Sequence, residues 1–154
     1  MYAYKRLMGV TAAVFFVLLF EWLCSVIVVV DTEWYTALNK PSFMMSGGYM
    51  TLSRVAAYGF VIALVSRLIV ARRFKPEGIL LVIAAFFEIL FTLTFFRLNN
   101  LPLSLTVIIA VTAVNYAALF LLSLKRLSDG LIFLPVVIWI SYLFCLTTSL
   151  TVIN

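Results

Sequence analysis

Three ionisable residues, Glu21, Arg54 and Glu88, stand inside long apolar runs of the sequence. A charge at the centre of a bilayer costs at least about 2.5 kcal/mol unless it is paired, hydrated or near an interface. Arg54 is one turn inside its run, so it can reach the interface or pair with Glu21. Glu88 falls near the middle of its run, which leaves three interpretations: a protonated carboxyl, a pair with a long cation, or a carboxyl that faces a cavity.

A second group of polar and aromatic residues fills the connector from Asp31 to Phe43. It contains the adjacent Trp34-Tyr35 pair and a Lys40-Pro41 turn. A connector needs only a few polar residues to reverse the chain direction. One with this much aromatic and polar side chain is therefore expected to cover or line something.

The residue inventory argues against most enzymatic chemistry. The chain has no His and no paired Cys motif, which removes the common zinc, haem-iron and general-base arrangements. No glycine-rich phosphate loop precedes a helix, and Gly47-Gly48 suits a joint at the end of the connector. We therefore predict no catalytic residues, no metal ligands and no required cofactor. Cys24 and Cys145 are expected to be small hydrophobic residues and not a disulfide.

The elements that hold these residues follow from composition. At 154 residues, 66% hydrophobic and a mean hydropathy of +1.20, the chain cannot be an ordinary soluble domain. Its apolar runs are unbroken over roughly twenty residues, the length of a membrane-spanning helix, whereas barrel strands would alternate over about ten. The sequence predicts an all-α integral membrane protein, a five-helix bundle forming a single domain over residues 1–154. The predicted helices cover about 7–30, 50–71, 78–96, 103–124 and 131–152.

Basic residues set the predicted orientation. They cluster before the first span and in the second and fourth connectors, at Lys5, Arg6, Arg67, Arg72, Arg73, Lys75, Lys125 and Arg126. The positive-inside rule then places the N-terminus in the cytoplasm, and the C-terminus and the 31–49 loop outside. The net charge of +5 is explained by topology and anionic headgroups, so the expected partner is the lipid bilayer and not nucleic acid.

The first connector also resembles a known family. Its Trp34-Tyr35-Thr36-Ala37-Leu38-Asn39-Lys40-Pro41-Ser42-Phe43 run is similar to the loop motif of the TspO/translocator protein family, whose bacterial members are called tryptophan-rich sensory proteins. The similarity continues through Tyr58-Gly59, Leu134-Pro135, Trp139 and the closing Leu150 to Asn154, which covers nearly the whole chain. Residues that depart from the family pattern include Phe43 and Arg54, which stand where Trp is usual. The chain is therefore identified as a divergent member, which implies a bacterial cell membrane.

The resemblance implies a function. In this family the first loop folds over a cavity that binds flat apolar ligands, which are tetrapyrroles such as protoporphyrin or haem, or sterol-like lipids. An apolar pocket with aromatic walls suits such a ligand, and Arg54 could pair with a ligand carboxylate. The predicted ligand-binding residues are Trp34, Tyr35, Pro41, Phe43, Arg54, Tyr58, Glu88, Trp139 and Tyr142.

Three functions remain open at this point. The first is a receptor or sensor for a planar hydrophobic ligand, and the second is a transporter of such a ligand. The third is an accessory protein that kept the fold without binding, with small and aromatic faces available for a homodimer. Photo-oxidative breakdown of porphyrin is attributed to some members, but it depends on cavity tryptophans. Only Trp139 clearly matches such a position, so this activity is expected to be weak or absent.

Overall fold

The computed structural model describes residues 2–27, 32–71 and 74–154, and every regular element in them is helical. The helices are α1 (Tyr2–Ile27), α2 (Thr32–Ala37), α3 (Gly47–Val70), α4 (Phe74–Thr92), α5 (Leu101–Lys125) and α6 (Leu127–Ile153), and α4 continues into a π-helical turn, Leu93–Arg97. All except α2 are long and apolar enough to cross a membrane. The predicted fold class, an all-α membrane bundle of five helices with a structured loop between the first two spans, is confirmed.

Some predicted features lie outside the described residues. These are the end of the first span at residues 28–30, Asp31 at the start of the loop, and the basic residues Arg72 and Arg73.

The five long helices form a closed ring. α1 packs against α3, α3 against α6, α6 against α5 and α5 against α4, and α4 returns to contact α1. Successive spans run in opposite directions, so the bundle has two ends. We call the end where α1, α4 and α6 begin the base, and the end that carries the 32–46 loop and the C-terminus the loop end.

The base is densely packed and joined by two ion pairs. Leu64, Leu68 and Phe133 are at most 1% exposed there. Glu77 of α4 pairs with Lys125 of α5 at 3.0 Å, and Asp129 of α6 pairs with Arg67 of α3 at 2.9 Å. Both carboxylate side chains are only 3% exposed, so each pair joins neighbouring helices at a buried point.

The connector between α4 and α5 lies where the sequence predicts a gap between helices, whereas the connector between α5 and α6 is shorter than predicted. Between α4 and α5, Asn99 adopts a left-handed φ of 50°, which asparagine tolerates, and the Asn100 side chain caps α5 by accepting from the Leu103 N–H at 2.9 Å. Between α5 and α6, the residues from Ser128 to Gly130, which the sequence left between two predicted helices, are helical. The connector is a single extended residue, Arg126. It can be this short because Gly130 has no Cβ and lets α6 lie directly against Ser123 of α5.

Candidate ligand-binding cavity

A cavity of about 410 Å³ occupies the loop-end half of the ring. Its walls come from four helices whose lining residues recur every three or four positions, which is the spacing of a single helical face. These residues are Phe20 and Cys24 of α1, Gly47, Met50, Thr51, Arg54 and Tyr58 of α3, Glu88, Phe91, Thr92, Phe95 and Phe96 of α4 and its π turn, and Trp139, Leu143, Leu146 and Thr147 of α6, with Tyr35 from the loop. From Gly47 to Tyr58 the cavity follows α3 for about 16 Å.

Aromatic rings dominate one side of the cavity. The Phe95 ring lies 5.7 Å from that of Phe91 and 4.8 Å from that of Phe96. The π-helical turn, in which the Leu98 N–H donates to the Leu93 carbonyl, holds both Phe95 and Phe96 at the wall. The result is a broad apolar surface on which a flat molecule can lie.

An ion pair stands beside the cavity. Arg54 lines it, and its guanidinium lies 3.4 Å from a Glu21 carboxylate oxygen, so of the two alternatives from sequence the structure shows the pair. The side chains are 41% and 29% exposed. Among the described residues, Arg54 Nε and Glu21 Oε1 are buried atoms without a hydrogen-bond partner. The pair is therefore longer than the two pairs at the base, and its carboxylate is more exposed than theirs.

Glu88 lies at the inner end of the cavity. It also lines a second cavity of about 40 Å³ on the base side, and Phe20, Tyr58 and Glu88 are common to both. Asn115 of α5, which is 1% exposed, also lines the smaller cavity, and its side-chain amide donates to the Val111 carbonyl at 2.9 Å. No cation in the described ranges lies within ion-pair distance of Glu88. Of the three interpretations from sequence, the structure supports a carboxyl that faces a cavity.

The loop is held to the loop end by hydrogen bonds from α6. The Asn154 side chain accepts from the Asn39 N–H at 2.8 Å and donates to the Asn39 carbonyl at 3.1 Å. The Tyr142 hydroxyl accepts from the Met45 N–H at 2.9 Å. Within the loop, the Met44 N–H donates to the Pro41 carbonyl at 3.0 Å, which closes a turn.

Aromatic contacts complete the docking of the loop. The Trp34 ring meets Phe95 edge-on at 5.7 Å. The Lys40 ammonium lies 4.4 Å from the centre of the Tyr35 ring, within the range of a cation–π contact. Burial, and to a smaller degree the neighbouring Tyr142, raise the pKa of Tyr35 above its ordinary value.

The structure brings five of the nine predicted site residues to the cavity: Tyr35, Arg54, Tyr58, Glu88 and Trp139. The other four are not among its lining residues. Trp34 and Tyr142 lie behind the wall, where Tyr142 stacks on Trp139 with 5.7 Å between ring centres. Pro41 serves the loop turn, and Phe43 is 49% exposed. A direct contact of any of the nine with a ligand stays a prediction.

Sequence reasoning missed most of the α4 wall. It named neither Phe95 nor Phe96 as a site residue, yet both line the cavity. The missed signal is spacing: Phe91, Thr92, Phe95 and Phe96 follow Glu88 at three, four, seven and eight positions, the face of a helix. Cys24 was assigned to packing. It lies 3.9 Å from the Thr92 hydroxyl and lines the same cavity.

In the part of the chain that the structure describes, no three His, Cys, Asp or Glu side chains are grouped as metal ligands. In a comparison with known families, the sequence model of the TspO/MBR family matches residues 11–153, nearly the whole chain. No curated protein matches the chain.

Proposed function

Because the chain belongs to the TspO/MBR family and is an integral multi-pass membrane protein, we propose that it is a receptor or sensor for a planar hydrophobic molecule. The observation that carries this proposal is the cavity of about 410 Å³, a volume within the usual range of small-molecule sites. Four helical faces converge on it, and most of its lining is apolar or aromatic. A space of this size between packed helices is what a bound ligand of that class requires.

The expected ligand is a tetrapyrrole such as protoporphyrin or haem, or a sterol-like lipid. Phe91, Phe95 and Phe96 offer flat contact on α4, and Trp139 faces them from α6. A rigid planar ligand loses little conformational entropy on binding, so little of the free energy gained from these apolar contacts is offset. Trp139 is itself supported from behind by Tyr142, with an angle of 27° between the two rings.

Arg54 is the proposed contact for a ligand carboxylate. A guanidinium has five N–H donors, and its link to Glu21 at 3.4 Å leaves Nε without a protein partner among the described residues. A porphyrin propionate would supply a charge-assisted hydrogen bond that the resting pair does not. Glu21 is not a lining residue of the cavity, so it can hold Arg54 from behind while the ligand binds from the front.

The 31–49 loop is the proposed lid. Tyr35 reaches the cavity from it, and the bonds from Asn154 and Tyr142 fix its backbone. With the N-terminus in the cytoplasm, as the basic residues predict, this lid and the cavity mouth face the outside.

A titration with purified protein tests the proposal. Protoporphyrin, haem and a sterol are added side by side to the protein in neutral detergent. Quenching of protein fluorescence reports binding of the two tetrapyrroles, and competition with protoporphyrin reports binding of the sterol. We expect saturable binding of at least one of them. Arg54→Met should weaken protoporphyrin about tenfold, the value of one charge-assisted hydrogen bond, and leave the sterol unchanged. Arg97→Met, which removes an exposed arginine outside the cavity lining, is the matched control.

Alkylation of Cys24 gives a second test. In a Cys145→Ala background, a bound ligand should slow the reaction of Cys24 with a maleimide, since this thiol lines the cavity. If none of the three compounds quenches fluorescence or protects Cys24, the receptor proposal fails and the accessory-protein alternative stands.

Transport is the second candidate function. The observation that favours it is the smaller cavity, which continues from Phe20, Tyr58 and Glu88 toward the base. Uptake of protoporphyrin into proteoliposomes, compared with empty liposomes, would establish it. Light-dependent loss of the protoporphyrin spectrum is expected to be weak. Bleaching that is clearly faster in the parent protein than in Trp139→Phe would contradict that expectation.

A further inference from the structure

The charges around the large cavity do not balance. Arg54 is already neutralised by Glu21 at 3.4 Å, whereas Glu88, at the inner end, has no cation within ion-pair distance in the described part of the chain. Its accessible surface faces the two cavities. A carboxyl placed among Phe20, Tyr58 and Phe91 is costly unless something pairs with it. Asn115, the polar side chain that lines the smaller cavity with Glu88, brings no charge.

We propose that Glu88 is a subsite for a basic nitrogen of the ligand, so that the cavity prefers a flat aromatic cation with the cationic group at its inner end. This inference rests on the proposed function, because it assigns a ligand class to the same cavity. It differs in the charge that is recognised: a porphyrin carboxylate would meet Arg54 near the mouth, whereas an amine would meet Glu88 about 6 Å deeper along α3, at the level of Tyr58.

The surrounding rings suit a cation as well as a flat apolar body. Tyr58, Phe91 and Trp139 all line the cavity, and the faces of aromatic rings attract cations. A protonated amine that enters the bilayer would lose its hydration. A carboxylate together with aromatic faces replaces that hydration, whereas an apolar wall alone would not.

Three probes of one shape and different charge test the proposal. At neutral pH, 9-aminoacridine is cationic, acridine is neutral and anthracene-9-carboxylate is anionic. In neutral detergent, the protein should bind 9-aminoacridine roughly ten- to a hundredfold more tightly than acridine, the range of a hydrogen bond to a charged group. The overall charge of +5 repels cations, so it cannot produce this order.

A matched pair of variants locates the effect. Glu88→Gln keeps the shape of the side chain and should remove the preference for 9-aminoacridine while leaving acridine unchanged. Glu77→Gln makes the same exchange at the base, outside the cavity lining, and should leave all three affinities unchanged under conditions where the variant is folded. The comparison of the three probes on the parent protein decides the question even if Glu88→Gln does not fold.

Several results would overturn the inference. These are equal binding of the three probes, tighter binding of the anion, an unchanged preference in Glu88→Gln, or equal weakening of all three probes in that variant, which would indicate a structural role. If protoporphyrin binds but the cation has no advantage, this inference fails and the proposed function remains. If neither protoporphyrin nor any of the three probes binds, both fail.

Discussion

The base and the loop-end half of this bundle are built from the same five helices, yet they hold their charged groups differently. At the base, carboxylates that are 3% exposed pair at 2.9 and 3.0 Å with Arg67 and Lys125. In the loop-end half, Arg54 and Glu21 pair at 3.4 Å and are 41% and 29% exposed. All three pairs join neighbouring helices, but the Glu21 carboxylate is far more exposed than those of the base and its contact is longer. With the proposed ligand site in the loop-end half, stability and binding would be separated along the membrane normal.

The base is also more densely packed than the loop-end half. Leu64, Leu68 and Phe133 fill the base almost completely, whereas the other half encloses about 410 Å³. A substitution in a well-packed region costs more unfolding free energy than one beside a cavity. The four predictions below test this separation, from the largest expected effect to the smallest.

One substitution at two glycines gives the largest contrast. Gly130→Ala would place a Cβ in overlap with the Ser123 side chain and 3.1 Å from Ser123 Cα, so α5 and α6 must move apart. We expect a loss of about 3 kcal/mol in the free energy of unfolding, measured by SDS titration in detergent. At Gly59 an added Cβ meets nothing within 4 Å, so Gly59→Ala should gain roughly 0.5 kcal/mol from helix propensity. Equal effects at the two positions would contradict the comparison.

The next prediction compares the loss of unfolding free energy when an arginine in each half is replaced by methionine. Arg67→Met removes the partner of the nearly buried Asp129. It should cost about 2 kcal/mol of unfolding free energy, less than the roughly 3–5 kcal/mol of a fully buried pair because Arg67 is half exposed. Arg54→Met should cost less than about 1 kcal/mol.

Ligand affinity should show the reverse order. Arg54→Met weakens binding of protoporphyrin, and Arg67→Met leaves it unchanged at temperatures where the variant is folded. The separation of functions between the halves would be wrong if Arg67→Met reduced affinity as much as Arg54→Met.

The hydrogen bonds that dock the loop should have a smaller effect. Tyr142→Phe removes the bond to the Met45 N–H and keeps the ring stacked on Trp139. If the loop is the lid, loss of this bond should lower the free energy that holds the loop in place by about 1 kcal/mol. Ligand release should then be roughly fivefold faster in a stopped-flow measurement. Asn154→Ala, which removes both bonds to Asn39, should act in the same direction. Unchanged release rates in both variants would show that the loop does not control exit.

Tyr35 provides the smallest effect. Because its pKa is raised in the folded protein, the neutral phenol is favoured there. The resulting stability is fully present below the unfolded value of about 10 and is lost as the pH rises through the higher folded value. An ultraviolet titration of the parent protein against Tyr35→Phe should show this phenol ionising later than a free tyrosine. A transition at the ordinary value would contradict burial of the ring.

The sequence predicted the scaffold well because apolar run length and turn residues are local signals. The five spans and the gap between residues 96 and 103 followed from position along the chain, which also gave the pairing of Glu21 with Arg54 as one of two alternatives. The ion pairs of Glu77 and Asp129 did not, because both residues stand at span ends where an acid looks like part of a solvated connector. The start of α6 was likewise missed, because Gly130 acts through its contact with another helix and not as a break.

The cavity was harder to predict than the helices around it. Trp139 and Glu88 do line the cavity, but residue type could not separate a wall residue from one a layer behind, such as Tyr142 or Trp34. Phe95 and Phe96 were not named as wall residues, although both lie on the helical face that begins at Glu88. Adjacent pairs such as Met50-Thr51 and Leu146-Thr147 also line the cavity together, so adjacency in sequence does not exclude a shared wall.

The π turn at Leu93–Arg97 also leads to an expectation about the evolution of this chain. A π turn accommodates one residue more than an α turn, so it is equivalent to a single-residue insertion that the fold has absorbed. In alignments of related sequences we expect one-residue gaps to fall at 93–97 and to spare the flanking parts of α4 and α5. Lineages without the extra residue would carry a regular helix there, with a differently shaped wall and a different choice of ligand.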